Sequence, residues 1–298
     1  MHLHRRILEI GSRSFRLRPV GDLQFGTPGF RKDIWDRWKK EMMEDKQAYA
    51  IGMGDYSDSF RPTIQKKLES AFIGDGEARR QLEEMLLVQT QHLAKEMEPF
   101  KDRIIGLLEG HHFFTLSSGD ITTTQYLCQL LGVKYLGFEA AIQLIVRRGR
   151  NGKKSESRTI DIYATHGCGG SKHTNSDMSK LEREIMPFWD VDLFLRGHST
   201  KVYAAAGAPL NKYSANMGNG TKEMRILKRQ RLLVNTGGFM EGRVDGHTSY
   251  VEQQGFPPCA LGYAVVDVHI ANPNNGHRQP DNWFYLEMKP SFVIPHEN

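Results

Sequence analysis

The chain has 298 residues, 39% of them hydrophobic and 25% charged. That is enough for one large α/β domain or two modest ones around a buried core. Mean hydropathy is negative, and no run approaches the ~20 apolar residues that a membrane helix needs, which points to a soluble globular protein without a bilayer-spanning helix. The formal charge of +5 is too slight an excess to identify a polyanionic partner by itself.

The opening MHLHRRILEI carries two arginines but no apolar stretch ending in a small-residue cleavage site, so no secretion signal is expected. FRLRPV (15–20) reads as a strand running into Gly21-Asp22, and DIWDRWKKEMMEDK (33–46) has helical spacing. AYAIGM (48–53) is a second strand, leading into Gly54-Asp55. Residues 77–99 form the best helix, with Leu82, Met85, Leu86, Leu93 and Met97 near one face. DRIIGLLE (102–109) is a third strand and ends at Gly110-His111-His112. Asp120 is the expected N-cap of ITTTQYLCQLL, and Gly132 its stop.

Two strands follow, around GFEAAIQLIV and RTIDIYAT, joined by the basic turn 147–157; the second ends at His166-Gly167. A helix near 176–187 precedes DVDLFLR (190–196), which ends at Gly197-His198. From about Lys201 the chain is rich in strand-like runs split by Gly, Asn and Pro loops. Alternating strands and helices predict an α/β architecture, and no stretch reads as a linker, so 1–298 is expected to be a single domain. The three cysteines, Cys128, Cys168 and Cys259, are sparse and widely spaced. They suit a reducing compartment, the cytoplasm, better than a disulfide framework or a Cys-based zinc site.

Five strand-like segments thus end in loops bearing Asp or His, often beside glycine. Loops at the carboxyl ends of α/β strands converge on ligands, and glycine lets the backbone turn sharply there. A mixed Asp/His set suits borderline divalent metals such as Mn, Fe, Zn or Ni. A carboxylate can bridge two cations, and paired metals ~3.5–4 Å apart are a standard device of phosphoryl chemistry.

The ordered series Gly-Asp-Leu-Gln-Phe-Gly (21–26), Gly-Asp-Tyr-Ser-Asp (54–58), Gly-His-His (110–112), Thr-His-Gly (165–167) and Gly-His-Ser-Thr (197–200) resembles the calcineurin-like metallophosphoesterases. Their pattern is Asp-x-His, Gly-Asp-x-x-Asp, Gly-Asn-His, a His after a strand, and Gly-His-x-His. The resemblance implies a sandwich of two β-sheets flanked by helices, in α/β/β/α layers, with the helical stretch 60–99 near the site mouth. It implies two divalent metals, Mn foremost, with Fe, Zn, Ni or Mg as alternatives. Asp55 would bridge both, Asp22 would bind the first, and His166 and His198 the second. His112 stands at the position of the catalytic histidine, which acts on the leaving oxygen while a hydroxide held by the metals attacks phosphorus.

Three positions depart from the pattern. Gln24 replaces a histidine ligand of the first metal, Thr200 replaces the last histidine, and His111 replaces the asparagine of the second. The first site is therefore depleted, with Thr200 a weak donor, and the second is rich in imidazole. Asp58 reads as a loop-capping or supporting residue more than a ligand. His247, in Gly246-His247-Thr248, follows a polar loop and reads as a pocket rim or a solvated turn. The basic turn (Arg147, Arg148, Arg150, Lys153, Lys154, Arg158) has no interleaved aromatics for base stacking and reads as solvated.

The resemblance implies hydrolysis of phosphodiesters, with nucleic acid or a nucleotide as the candidate substrate. A phosphomonoesterase or nucleotide pyrophosphatase is the second enzyme reading. A single-metal or inactive scaffold that binds nucleic acid or a protein is the third. Which substrate is bound, by which residues, and in what oligomeric state are not written in the motifs.

Overall fold

Apolar runs too short for helices dictate a framework of strands, and the computed structural model shows thirteen among its described residues. Those are 1–57, 76–117, 120–150, 153–169, 176–207, 210–216, 221–228, 231–247, 250–253, 255–258, 260–270 and 284–292. The first stretch of chain gives β1 (His2–Ile10), β2 (Ser14–Val20), α1 (Lys32–Glu44), β3 (Ala48–Gly52), α2 (Gly76–Met97), β4 (Ile104–Leu107) and α3 (Thr123–Leu131). After it come the long hairpin β5 (Glu139–Arg150) and β6 (Lys153–Thr165), α4 (Ser176–Lys180) and β7 (Leu193–Arg196). The last part holds β8 (Val202–Gly207), β9 (Leu210–Asn216), β10 (Lys222–Lys228), β11 (Arg231–Gly238), α5 (Tyr250–Gln253), β12 (Gly262–Ile270) and β13 (Phe284–Phe292).

The α/β class is as expected; two separate sheets are not what the hydrogen bonds draw. Eleven strands join in one sheet of order β1-β5-β6-β7-β11-β12-β2-β3-β4, with β8 also on β11 and β13 also on β12, while β9 and β10 pair apart. The connection is β11. Its Leu232–Asn235 stretch runs parallel to β7, and its last two residues, Gly237 and Gly238, pair antiparallel with β12. Gly237 has φ +84, and a Cβ there would strike Val202 and the Gly262 carbonyl, so only glycine lets the strand pass from one half to the other.

One buried cluster draws on both halves of this sheet, including Leu8, Ile142, Leu144, Ile160 and Leu193 from one and Phe15, Leu17, Ile51, Val266 and Val268 from the other. A second cluster lies beneath α1, α2 and α3, where Trp35 and Trp38 stack 5.3 Å apart beside Phe100, Phe239 and Tyr263. α1 forms because Ile34, Trp35, Trp38 and Met42 fall on one face and are all fully buried; each such side chain contributes about 1.5–3 kcal/mol on burial. A third, smaller cluster of Tyr163, Leu181, Val191, Phe194 and Leu233 covers the outside of β6, β7 and β11.

Several local expectations are corrected. α3 is capped by Thr122, not Asp120: the Thr122 hydroxyl accepts from Gln125 N and the Gln125 side chain returns to Thr122 N. Gly132, at φ 67, stops the helix as expected. The helix expected at 176–187 is α4 followed by a π turn at Leu181–Ile185 and a 3-10 turn at Met186–Phe188, since Pro187 lacks the N–H a continuing helix needs. On α2, Leu86, Leu93 and Met97 are buried with Thr90, but Met85 is 57% exposed and off the face. Residues 60–75 of the stretch 60–99, and Asp58 before them, lie outside the described residues. No described helix is long and apolar enough to cross a membrane.

Candidate metal centre

The loops that follow β2, β3, β4, β6 and β7 meet at one edge of the bent sheet. Five described non-glycine residues have positive φ, and four of them are expected site residues: Asp22 (50°), Gln24 (45°), Asp55 (53°) and His198 (66°). A left-handed backbone costs such residues roughly 1–2 kcal/mol each, and strain of this kind collects where geometry serves function. Backbone bonds hold the loops in register: Asp22 N donates to Gly54 O at 2.9 Å and Gln24 N to Asp55 O at 3.1 Å. Gly110 is required by close approach, because a Cβ there would collide with the Asp55 carboxylate.

The side chains form two overlapping groups. Ligand atoms of His111, His166 and His198 lie within 4.8 Å of one another, as do those of Asp22, Asp55 and His166. These groups can hold a metal ion. His166 is shared, only 1% exposed, with Nδ1 2.7 Å from the Met53 carbonyl. A carbonyl only accepts, so Nδ1 carries the proton and Nε2 turns inward. That Nε2 is buried without a hydrogen-bond partner, 3.4 Å from Asp55 Oδ2. His111 Nδ1 and His198 Nδ1 face each other at 3.2 Å. Each carboxylate is aimed by a backbone N–H of an opposite loop: His112 N donates to Asp55 Oδ1 and His198 N to Asp22 Oδ2, both at 2.9 Å.

Electrostatics make the cluster a poor resting place for its own charges. Burial, helped by the Asp55 charge, pushes Asp22 up to about 7 against the opposing pull of His166. Burial would raise Asp55 too, but the charge of His166, 3.4 Å away, with that of His112 and its backbone N–H, holds it below the usual carboxylate range. His166 is disfavoured as a cation by burial, yet Asp55 and Asp22 raise it to about 9. Burial, then His166 and His111, press His198 down to about 3, leaving a neutral ring. Two buried acids, a shared imidazole whose Nε2 makes no hydrogen bond and the neutral His198 ring fit a divalent cation, which would replace the protons that now balance the site.

The remaining expected residues are placed as follows. Gln24 lies on the Asp22 loop, half-buried. Thr200 is on the Asp22 side, since a Cβ on Gly238 would stand 3.0 Å from both Asp22 Cβ and Thr200 Cγ2. His112 is half-buried, and its charge is felt by both Asp22 and Asp55. His247 sits in an exposed turn closed by a Val244–His247 bridge and belongs to neither ligand group. Arg147, at the far end of the hairpin, stands roughly 26 Å from the loop end of β5 at ~3.3 Å per residue, and pairs with Glu9.

Motif reading missed the supports. Glu109 is fully buried, and its Oε2 accepts from Thr122 Oγ1 at 2.6 Å and from the Tyr135 hydroxyl at 3.2 Å. This ties the cap of α3 to the residue just before Gly110-His111. Arg196, 2% exposed, pairs with Asp177 at 2.9 Å and donates to the Cys168 carbonyl at 2.9 Å. It also packs on Gly167, so one guanidinium braces both histidine loops of β6 and β7. Asn235 Nδ2 donates to the Ser199 and Lys201 carbonyls and holds the Gly-His-Ser-Thr loop from β11. The only trace in sequence is the polar residue beside a ligand-loop glycine at Glu109-Gly110 and Arg196-Gly197, and Asn235 within the apolar run of β11.

No known family model matches the chain, and no curated protein matches it.

Proposed function

We propose that the chain is a metal-dependent phosphoesterase of the calcineurin-like type, cleaving phosphodiesters such as nucleotide or nucleic-acid esters. The observation that carries this is the convergence of Asp22, Asp55, His111, His166 and His198 at the strand ends, with His166 Nε2 buried and turned towards Asp55. The finer architecture, α/β/β/α layers, is part of the proposal. The buried cluster between the two halves of the sheet and the helix-covered clusters outside them support it.

Asp55 would be shared between two metals, with Asp22 and Gln24 on the first and His111, His166 and His198 on the second, Mn²⁺ being the foremost candidate. Bound divalent cations supply Lewis acidity, which makes water nucleophilic near neutral pH and offsets the charge developing on a phosphoryl group. His112 donates a proton to the leaving oxygen. Asp22 and Asp55, aimed by opposite backbone N–H groups, keep the donors fixed and oriented during the reaction. The described cysteines are free thiols, Cys128 buried and Cys168 exposed, in keeping with a cytoplasmic setting.

The test is a chelator-stripped protein reloaded with Mn²⁺ and assayed on bis-aryl phosphate, mono-aryl phosphate, single-stranded DNA and a nucleotide diphosphate ester. Mn²⁺-dependent turnover led by the diesters is expected. A monoester or pyrophosphate preference supports the second enzyme reading. One tight metal with no turnover of any substrate contradicts an enzyme and leaves a scaffold.

A further inference from the structure

Two phenylalanines flank the metal centre without belonging to any ligand set. The β5–β6 ladder opposes Glu139 to Thr165, and the bond from His166 N to Phe138 O, 3.1 Å, carries that register one residue further. Directly opposed residues of an antiparallel pair share a face, so Phe138 stands on the same face as His166. Phe113 follows His111-His112 and meets Phe138 edge-on, with centroids 5.9 Å apart at 69°. The His111 and His166 rings are themselves 4.8 Å apart. The Phe113–Phe138 pair thus adjoins the ligand loops through the chain, Phe113 next to His112 and Phe138 opposite His166, and Phe138 is 48% exposed.

We infer that Phe138, steadied by Phe113, is the platform on which a planar aromatic group of the substrate stacks, a nucleobase in the first place. The inference rests on the reading of the centre as a phosphoesterase and narrows its substrate class to esters that carry such a ring. On this reading, an ester whose phosphoryl group sits at the cluster would extend its organic half towards the loop that carries Phe138. Every base presents a π-face, so stacking there recognises nucleotides without choosing among the bases. The T-shaped contact fixes the tilt of Phe138 before a ligand arrives, which lowers the ordering cost of binding.

Calorimetry on the full, Mn²⁺-loaded chain distinguishes the possibilities, with AMP, CMP, phenyl phosphate and ribose 5-phosphate as probes. AMP and CMP are expected to bind about equally, and both about tenfold more tightly than ribose 5-phosphate, as one stacked base provides. Phenyl phosphate should fall between. Phe138→Ala should erase the gap while ribose 5-phosphate binding stays unchanged, and Phe138→Trp should preserve it. Phe138→Leu retains apolar volume, so loss of the gap in that variant, with its thermal melt intact, separates stacking from packing. Equal binding of AMP and ribose 5-phosphate by the parent, or equal weakening of both by Phe138→Ala, overturns the platform and leaves the phosphoesterase reading standing. Absence of Mn²⁺-dependent binding by any probe contradicts both.

Discussion

The two halves of the sheet position their candidate ligands by different means. β2, β3 and β4 present Asp22, Asp55 and His111 from a half packed against a large aromatic cluster, with Trp35 and Trp38 fully buried under α1. β6 and β7 present His166 and His198 from a half covered by the smaller Tyr163–Leu233 cluster, where the loops are braced by the buried Arg196–Asp177 pair. The first side rests on the larger apolar cluster, while the second adds a buried ion pair to a smaller one. Apolar packing spreads a perturbation over many contacts, whereas a buried ion pair concentrates it on one partner. The two sides should therefore fail differently.

Trp38→Ala and Asp177→Asn are the sharpest comparison. Trp38→Ala opens a cavity in the aromatic cluster and should cost about 3–5 kcal/mol, while the folded fraction keeps its Mn²⁺ affinity. Asp177→Asn leaves the Arg196 guanidinium buried without its counter-charge, a loss of the same order, about 3–5 kcal/mol. Because Arg196 sits between the His166 and His198 loops, this variant should also weaken Mn²⁺ binding about tenfold or more. Denaturant unfolding beside metal titration checks both; loss of metal affinity in the tryptophan variant alone would reverse the assignment of the two halves.

A smaller expected change concerns chemistry at the junction of the halves. His112→Ala should slow esters with poor leaving groups by ~10²–10⁴-fold, and esters with good leaving groups much less. A uniform drop across a leaving-group series, read from kcat, makes His112 a packing residue.

The smallest effect is on pH. Asp22 and His166 both hold protons more tightly folded than unfolded, at about 7 and about 9. For groups with raised values the stabilising contribution is present at low pH; it fades as pH rises through 7 for Asp22 and through 9 for His166. The metal-free fold should accordingly lose stability from pH 3.8 up to about 7 through Asp22 and from 6.5 up to about 9 through His166. Over the same window Mn²⁺ affinity should rise up to about tenfold per pH unit for each proton displaced. Titration in buffers of different ionisation enthalpy counts those protons; metal uptake with no proton release contradicts the cited charges.

The strand ends were legible because each ligand is adjacent to a short apolar run and a glycine, a local pattern that survives without the fold. The helices α1 and α2 were legible for the same reason, as repeated apolar faces. β1 was not: HLHRRILEI places charge inside an edge strand whose Leu3, Ile7 and Glu9 are exposed and whose buried positions, Leu8 and Ile10, come only at its end, too few to set a period. The bend of the sheet through Gly237 depends on pairing between distant segments, which periodicity does not record. Among site residues, Asp22, Asp55, His111, His166 and His198 were read from their motifs. Glu109, Arg196, Asp177 and Asn235 were not, because they act through backbone and charge partners far away in the chain. The positive φ of Asp22, Gln24, Asp55 and His198 was equally invisible, since Asp, Gln and His carry no preference strong enough to announce it.

Calorimetric titration of the metal-free chain with Mn²⁺ tests the central claim most directly. The ligand sets predict two events: a tight one at His111, His166, His198 and shared Asp55, and a weaker one at Asp22 and Gln24 with only Thr200 beside them. Imidazole favours transition metals more than neutral oxygen donors do, so Gln24→His with Thr200→His should tighten the weaker event, and Asp55→Asn should damage both. Two equally tight events in the unmodified chain, or an Asp55→Asn variant that binds as the parent does, would contradict the account.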